Sequence, residues 1–147
     1  MSLNWSILNW SQLTKKQLYE LLSLRAEVFV VEQNCPYLDP DGKDIDALHL
    51  LGYENKELIS YARIFLETTP CFIGRLVVSQ KQRNKKIGKE TMKKAITLVP
   101  NQKEIMISAQ AHLKVFYESL GFNQKGRGYL EDGIPHIPMV FLKNTSD

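Results

Sequence analysis

Seven of the fourteen residues from Lys81 to Lys94 are Lys or Arg, and Glu90 alone opposes them. They lie in SQKQRNKKIGKETMKKAI (79–96), directly after the β-prone run CFIGRLVVS. A strand that turns into a helix presents unpaired N–H groups and a partial positive charge at the helix start, which suits phosphate. Gly88 lets the backbone approach a ligand there, with Lys85, Lys86 and Lys89 around it. Three partners fit so much local charge: nucleic acid, an anionic membrane, or a phosphate-bearing small molecule. On these residues alone, a solvated basic helix start is the commoner meaning of the pattern.

Other side chains offer proton transfer. Glu32 follows the apolar run VFVV, and partial desolvation there would raise its pKa toward neutrality. His136 sits beside the turn EDGIP, and imidazole titrates near neutral pH. His49 and His112 are weaker candidates. Tyr117 falls on an apolar helical stripe, where a core aromatic is the ordinary reading. Asp39, Asp41, Asp44 and Asp46 crowd the loop DPDGKDID. This is not a calcium loop, because its sixth position is Asp44 rather than Gly and its twelfth is Leu50 rather than Glu. It reads equally as an acidic lip for a cationic amine or as a solvated turn. Cys35, His49, His112 and His136 lack zinc-ligand spacing, so no metal is predicted.

The bulk numbers narrow the partners. The chain has 147 residues, 19 basic and 16 acidic side chains and a formal charge of +3. A dedicated nucleic-acid binder carries more excess charge and interleaves aromatic residues with basic ones. No apolar run approaches the ~20 residues that span a bilayer, and MSLNWSILNW lacks the basic start of a signal peptide. Two cysteines, Cys35 and Cys71, fit a reducing cytoplasm. The expectation is one domain over 1–147, cytoplasmic, with no nucleic-acid or membrane partner; a homodimer is compatible with the sequence.

The elements that must hold these residues follow from periodicity. WSILNW (5–10) reads as a strand. Thr14 and Gln17 have capping-box spacing, and Leu18, Leu21, Leu22, Arg25 and Phe29 share a helical face, so a helix is predicted to end near Val31. ALHLLGYE and ELISYARIFLE flank Asn55-Lys56 as a β-hairpin. CFIGRLVVS is a third strand of that group, and Ile87, Thr91, Ala95, Ile96 and Val99 form the stripe of the basic helix up to Pro100. EIMISAQ is a strand, and HLKVFYESLGF is a short helix closed by Gly121. Two strands near Phe122–Tyr129 and His136–Leu142 flank the loop LEDGIP. The order β-α-β-β-β-α-β-α-β-β is that of an α/β protein with a mixed sheet.

LVVSQKQRNKKIG resembles motif A of the GNAT acetyltransferase superfamily, an L-x-V strand followed by Q/R-x-x-G-x-G/A at a helix start. Leu76 and Val78 match the strand, Arg83 the Q/R, and Gly88 the last glycine, while Lys86 stands at the first glycine. QAHLKVFYESLGF resembles motif B, with Gln110 in place of its Asn, Tyr117 at its Tyr and Gly121-Phe122 at its close. LRAEVFVVEQNCPYLDPDG, YARI, IGRLVVS, AQAHL and EDGIPHIPM extend the likeness to the ElaA-type branch, from about Leu24 to Met139.

The resemblance implies the GNAT (acyl-CoA N-acyltransferase) fold, a mixed, mostly antiparallel sheet flanked by helices. It implies acetyl transfer from acetyl-CoA to an amine of a small molecule or peptide. The backbone of Leu76, Val77 and Val78 is then expected to pair with the pantetheine arm and to supply an oxyanion donor. The turn Arg83, Asn84, Lys85, Lys86, Ile87, Gly88 and Lys89 would receive the pyrophosphate, with Lys81, Lys85 or Lys89 at the 3′-phosphate. Gln110 would contact the cofactor, Tyr117 would be the acid at sulfur, and Glu32, His136 or water the base. Lys86 must take a strained backbone, or the turn is altered. The competing readings are a nucleic-acid-binding module using 81–94, a GNAT fold that binds acyl-CoA without catalysis, and acyl-homoserine-lactone synthesis.

Overall fold

The computed structural model describes residues 3–83 and 86–143. Among the described residues, eight strands and three α-helices follow the predicted order, with one more strand than the seven expected. The sheet runs β1(Asn4–Asn9), β2(Leu48–Glu54), β3(Glu57–Phe65), β4(Cys71–Val78), β5(Glu104–Gln110), β8(Ile134–Leu142), β6(Asn123–Gln124), with β7(Tyr129–Glu131) on β8. Only β4 and β5 pair in parallel among the described strands, and they do so at two positions, Cys71↔Ile105 and Phe72↔Met106. Beyond Phe72 the two strands separate.

Successive strand residues face opposite sides, and both sides are covered. On one, α1(Lys15–Arg25) lays Leu21 and Leu24 against Leu51, Leu58, Tyr61 and Val77. On the other, α2(Ile87–Leu98) and α3(Lys114–Glu118) cover Leu50, Ala62, Ile64, Ile105 and Ile107 with Met92, Ala95 and Tyr117. Thr14 caps α1 as its spacing with Gln17 predicts, each side chain bonding the other's backbone N–H. Asn55 and Lys56 both take positive φ, 50° and 67°, as a two-residue hairpin turn of the twisted-sheet type demands. Gly121, at φ 102°, closes α3: its N–H bonds the Glu118 carbonyl, and the Phe122 N–H bonds that of Tyr117, the paired bonds of a glycine-terminated helix.

Three local expectations are corrected. The first helix winds as α only to Arg25 and continues from Ala26 to Glu32 as a π-helix, with the N–H of Gln33 reaching the carbonyl of Val28. Its buried face is Leu21, Leu24, Arg25 and Val28, while Phe29 is only partly covered. The strand expected at 122–129 is broken into β6 and a separate β7. The segment 130–135 is not an open loop: Glu131 and Ile134 pair across Asp132 and Gly133, which have φ 52° and 77°.

Candidate active site

β4 carries a bulge where the site begins. Tyr61 of β3 faces Val77 and Arg63 faces Gly74, so Arg75 and Leu76 together oppose Ala62, and Arg75 takes φ 51°. A bulge bends a strand and re-aims its side chains. On one edge Val77 and Val78 pair with Tyr61 and Ser60. The other edge faces the opening left by β5. The segment Leu76–Val78 thus has a strand edge turned into a cleft, at the carboxyl end of the parallel pair, where open α/β sheets bind ligands.

α2 starts at the end of that cleft. Its first intrahelical backbone bond runs from the Glu90 N–H to the Lys86 carbonyl, 3.1 Å, and no side chain among the described residues caps it. The N–H groups of Ile87, Gly88 and Lys89 therefore have no helical acceptor. Lys86 adopts a left-handed backbone, φ 60° and ψ 20°, so it takes up the strain at the position where the motif has glycine. The expectation that Gly88 makes the curl is corrected: its φ is not positive, and a Cβ there would meet Val78 Cγ2 at 3.6 Å and Phe116 Cζ at 3.8 Å. Gly88 instead marks where α2, β4 and α3 converge. Asn84 and Lys85, also assigned to the turn, lie outside the described residues.

The three candidate proton-transfer residues are placed differently. Tyr117 is buried, packed edge-on against Phe116 and Phe122, and burial pushes its phenol up to about 12. Glu32 contradicts its expectation. Arg83 grips its carboxylate with both terminal nitrogens, Nη2 at 2.8 Å from Oε1, and this hydrogen bond and charge hold Glu32 below its usual range rather than above it. His136 lies on β8 opposite Gln110 of β5, stacked on Tyr129 and nearly buried. Its Nδ1 is 2.7 Å from the Ile134 carbonyl. A carbonyl can only accept, so Nδ1 carries the proton, while Nε2 lies 3.6 Å from the Glu131 carboxylate.

Glu32 and Gln33 close the near side of the cleft. Glu32 holds Arg83 just past β4, and Gln33 accepts a hydrogen bond from Gln110 Nε2 at the end of β5, 3.2 Å. Gln33 was not singled out in the sequence; its place beside Glu32 at the end of the apolar run was the available signal.

Of the four loop aspartates, Asp39, Asp41 and Asp44 are engaged by arginines rather than free for an amine, and Asp46 stays exposed. Arg25, fully buried, donates from Nε to Asp39 at 2.7 Å and from Nη1 to Asp44 at 2.8 Å. Arg63 bonds Asp41 at 2.5 Å and Asp44 at 3.0 Å. Arg75 places Nε 2.9 Å from Asp39, an ion pair without hydrogen-bond alignment, and donates from Nη2 to the Asp39 carbonyl, also at 2.9 Å. Three arginines thus neutralise three aspartates and pin the loop over the β4 bulge. His49 joins them: Nε2 is 2.8 Å from the Asp44 carbonyl, so it carries the proton, and Nδ1 accepts from the Tyr61 hydroxyl at 2.5 Å.

This network predicts a two-stage acid response. The Arg63 hydrogen bond holds Asp41 well below the carboxylate range; burial opposes ionisation of Asp44, but Arg25 and Arg63 still hold it low. Burial holds His49 low as well. A depressed folded-state pKa contributes stability above the unfolded value that is lost as pH falls. The melting temperature should therefore decline first below about pH 6.5, through His49, and again below about pH 4, through the aspartates. His49→Asn should remove the first decline; a melting temperature unchanged from pH 7 to 5 in the wild type would contradict the assignment.

Among the described residues, no group of three or more His, Cys, Asp or Glu is placed to hold a metal, and no helix is long and apolar enough to cross a membrane. Residues 25–143 match the family model described as an acetyltransferase (GNAT) domain. The chain belongs to the GNAT acetyltransferase family. It is similar to protein ElaA of Escherichia coli, 46% identical over 146 residues that cover 94% of this chain and 95% of that protein. The crystal structure of E. coli ElaA superposes with a TM-score of 0.88 over 95% of this chain and 99% of that one. An acyl-CoA N-acyltransferase from Pseudomonas aeruginosa, 39% identical, gives 0.88 over the same shares. The PaiA N-acetyltransferase of Thermoplasma acidophilum in complex with coenzyme A, 15% identical, shares the fold at 0.66 over 95% of this chain and 99% of that one.

Proposed function

We propose that the protein is an acetyl-CoA-dependent N-acetyltransferase acting on an amine of a small molecule or peptide. The observation that carries this reading is the parting of β4 from β5 after Phe72, with the uncapped start of α2 at its end. The residues present fit coenzyme A: the edge of Leu76–Val78 offers backbone groups to an extended amide chain, and the N–H groups of Ile87, Gly88 and Lys89 suit a pyrophosphate. Arg83, Lys86 and Lys89 add charge. When bound, the coenzyme supplies an activated acyl group as a thioester.

The chain's residues then divide the work. A backbone N–H of Leu76–Val78 faces the acyl oxygen and stabilises negative charge there. His136 receives the proton of the acceptor ammonium on Nε2, directly or through water. Tyr117 donates a hydrogen bond at the sulfur. With its phenol near 12 and a thiol near 8.5, full proton transfer is uphill by roughly 5 kcal/mol, so Tyr117 shares its proton rather than surrendering it. The departing thiolate would take its proton from solvent.

Saturating acetyl-CoA should raise the melting temperature by mass action. At ~100 times its dissociation constant, a ligand adds about 2.7 kcal/mol; for a chain of this length that is roughly 5–10 °C. Thiol release measured against a panel of amines, polyamines and peptides then finds the acceptor. A melting curve that ignores acetyl-CoA but shifts with duplex DNA would replace this reading with a nucleic-acid module.

A further inference from the structure

Consecutive residues at the end of the π-helix tie together the two sides of the cleft. Glu32 is bound to Arg83, beyond the end of β4, and Gln33 to Gln110, at the end of β5. Together, through the end of the π-helix, the two links bridge the ends of β4 and β5. Arg83 is also turned back on its own strand, with Nη2 3.2 Å from the Val78 carbonyl. A guanidinium satisfied in this way by a bidentate carboxylate is held as a phosphate would hold it, because both anions offer two oxygens to the same fork of N–H groups.

We propose that Glu32 occupies the place of a coenzyme phosphate on Arg83 in the free protein, and that coenzyme binding releases its carboxylate at the cleft mouth to bind the acceptor's ammonium group. The inference rests on the coenzyme reading above. Its chemistry is an exchange of partners with no covalent step: Arg83 passes from carboxylate to phosphate, and Glu32 passes from guanidinium to ammonium. The order of binding follows, coenzyme first and amine second. Three of the four aspartates of the neighbouring acidic loop do not compete for the amine, since Asp39, Asp41 and Asp44 are already neutralised by Arg25, Arg63 and Arg75. Glu32 differs from them because its cationic partner among the described residues, Arg83, sits on the phosphate turn itself. Its side chain is 30% exposed and that of Arg83 36%, so both can change partner without unpacking the core.

Calorimetric titration with coenzyme A tests the exchange. Glu32→Gln keeps the shape but removes the charge, and should tighten coenzyme binding roughly two- to five-fold, the scale of a partly exposed ion pair. In an Arg83→Gln background the same substitution should give no gain, because the competitor's target is gone. The carboxyl carbon of Glu32, observed by NMR in protein labelled with ¹³C-glutamate, should move on adding coenzyme A. Propylamine, a minimal primary ammonium, should shift it further only in the coenzyme-bound protein. Unchanged or weaker binding in Glu32→Gln, an equal gain without Arg83, or a propylamine shift that is absent or independent of coenzyme would each overturn the proposal. Failure of coenzyme A to bind the wild type would instead remove the coenzyme reading on which it rests.

Discussion

Tyr117→Phe should lower turnover by roughly 10²–10³-fold, the usual loss for one donor aimed at developing charge. Phe fills the same space against Phe116 and Phe122, so the melting temperature and the affinity for acetyl-CoA should change little. Steady-state kinetics on whichever amine the thiol-release panel identifies would then show the loss in kcat and not in KM. Because burial pushes the phenol up to about 12, its ionisation should not limit the wild-type rate anywhere below about pH 11. A wild-type rate in Tyr117→Phe would make Tyr117 a packing residue, and the hydrogen bond at sulfur would have to come from elsewhere.

The sequence made the periodic parts readable and left the paired parts hidden. The strands 71–78 and 104–110 and the start of the basic helix stand where their patterns put them, because alternation and the 3.6-residue repeat are local properties. At Lys86 the resemblance to motif A left open a strained backbone or an altered turn, and the left-handed backbone is the first of these. What could not be read were partners distant in the chain. Arg25 on an apolar helical face is a visible anomaly, yet nothing local names Asp39 and Asp44 as its answer. Glu32 was misjudged for that reason: the apolar run before it argues for desolvation, while the decisive neighbour, Arg83, is 51 residues away. The π winding from Ala26 to Glu32 was hidden as well, since its apolar residues satisfy an α-helical pattern.

Arg25→Ala is expected to be the most damaging single change to stability, by roughly 3–5 kcal/mol. The guanidinium is wholly buried, and its removal leaves Asp39 and Asp44 each short of a cation in a buried site. Burial works against its charge, but Asp44, Tyr61 and Asp39 hold the group firmly protonated. Arg63 and Arg75 still face the same carboxylates, which should keep the loss toward the lower end. For a chain of this length it corresponds to a fall of roughly 10 °C in melting temperature. Since the loop it anchors lies over the β4 bulge, affinity for acetyl-CoA should fall with it. A melting temperature within 2 °C of the wild type would show the loop to be held by other means.

The seam between β4 and β5 is two residue pairs long, which makes the sheet a structure fastened at one end only. Strands β1–β4 on one side and β5–β8 on the other share a short stretch of ladder, and past it each has a margin with donors and acceptors to spare. A ligand with its own amide groups, laid between those margins, finishes the ladder rather than merely occupying a hole. On the proposed function, the acyl carrier would be a missing strand of the fold. The sheet would then become continuous only when its substrate is in place.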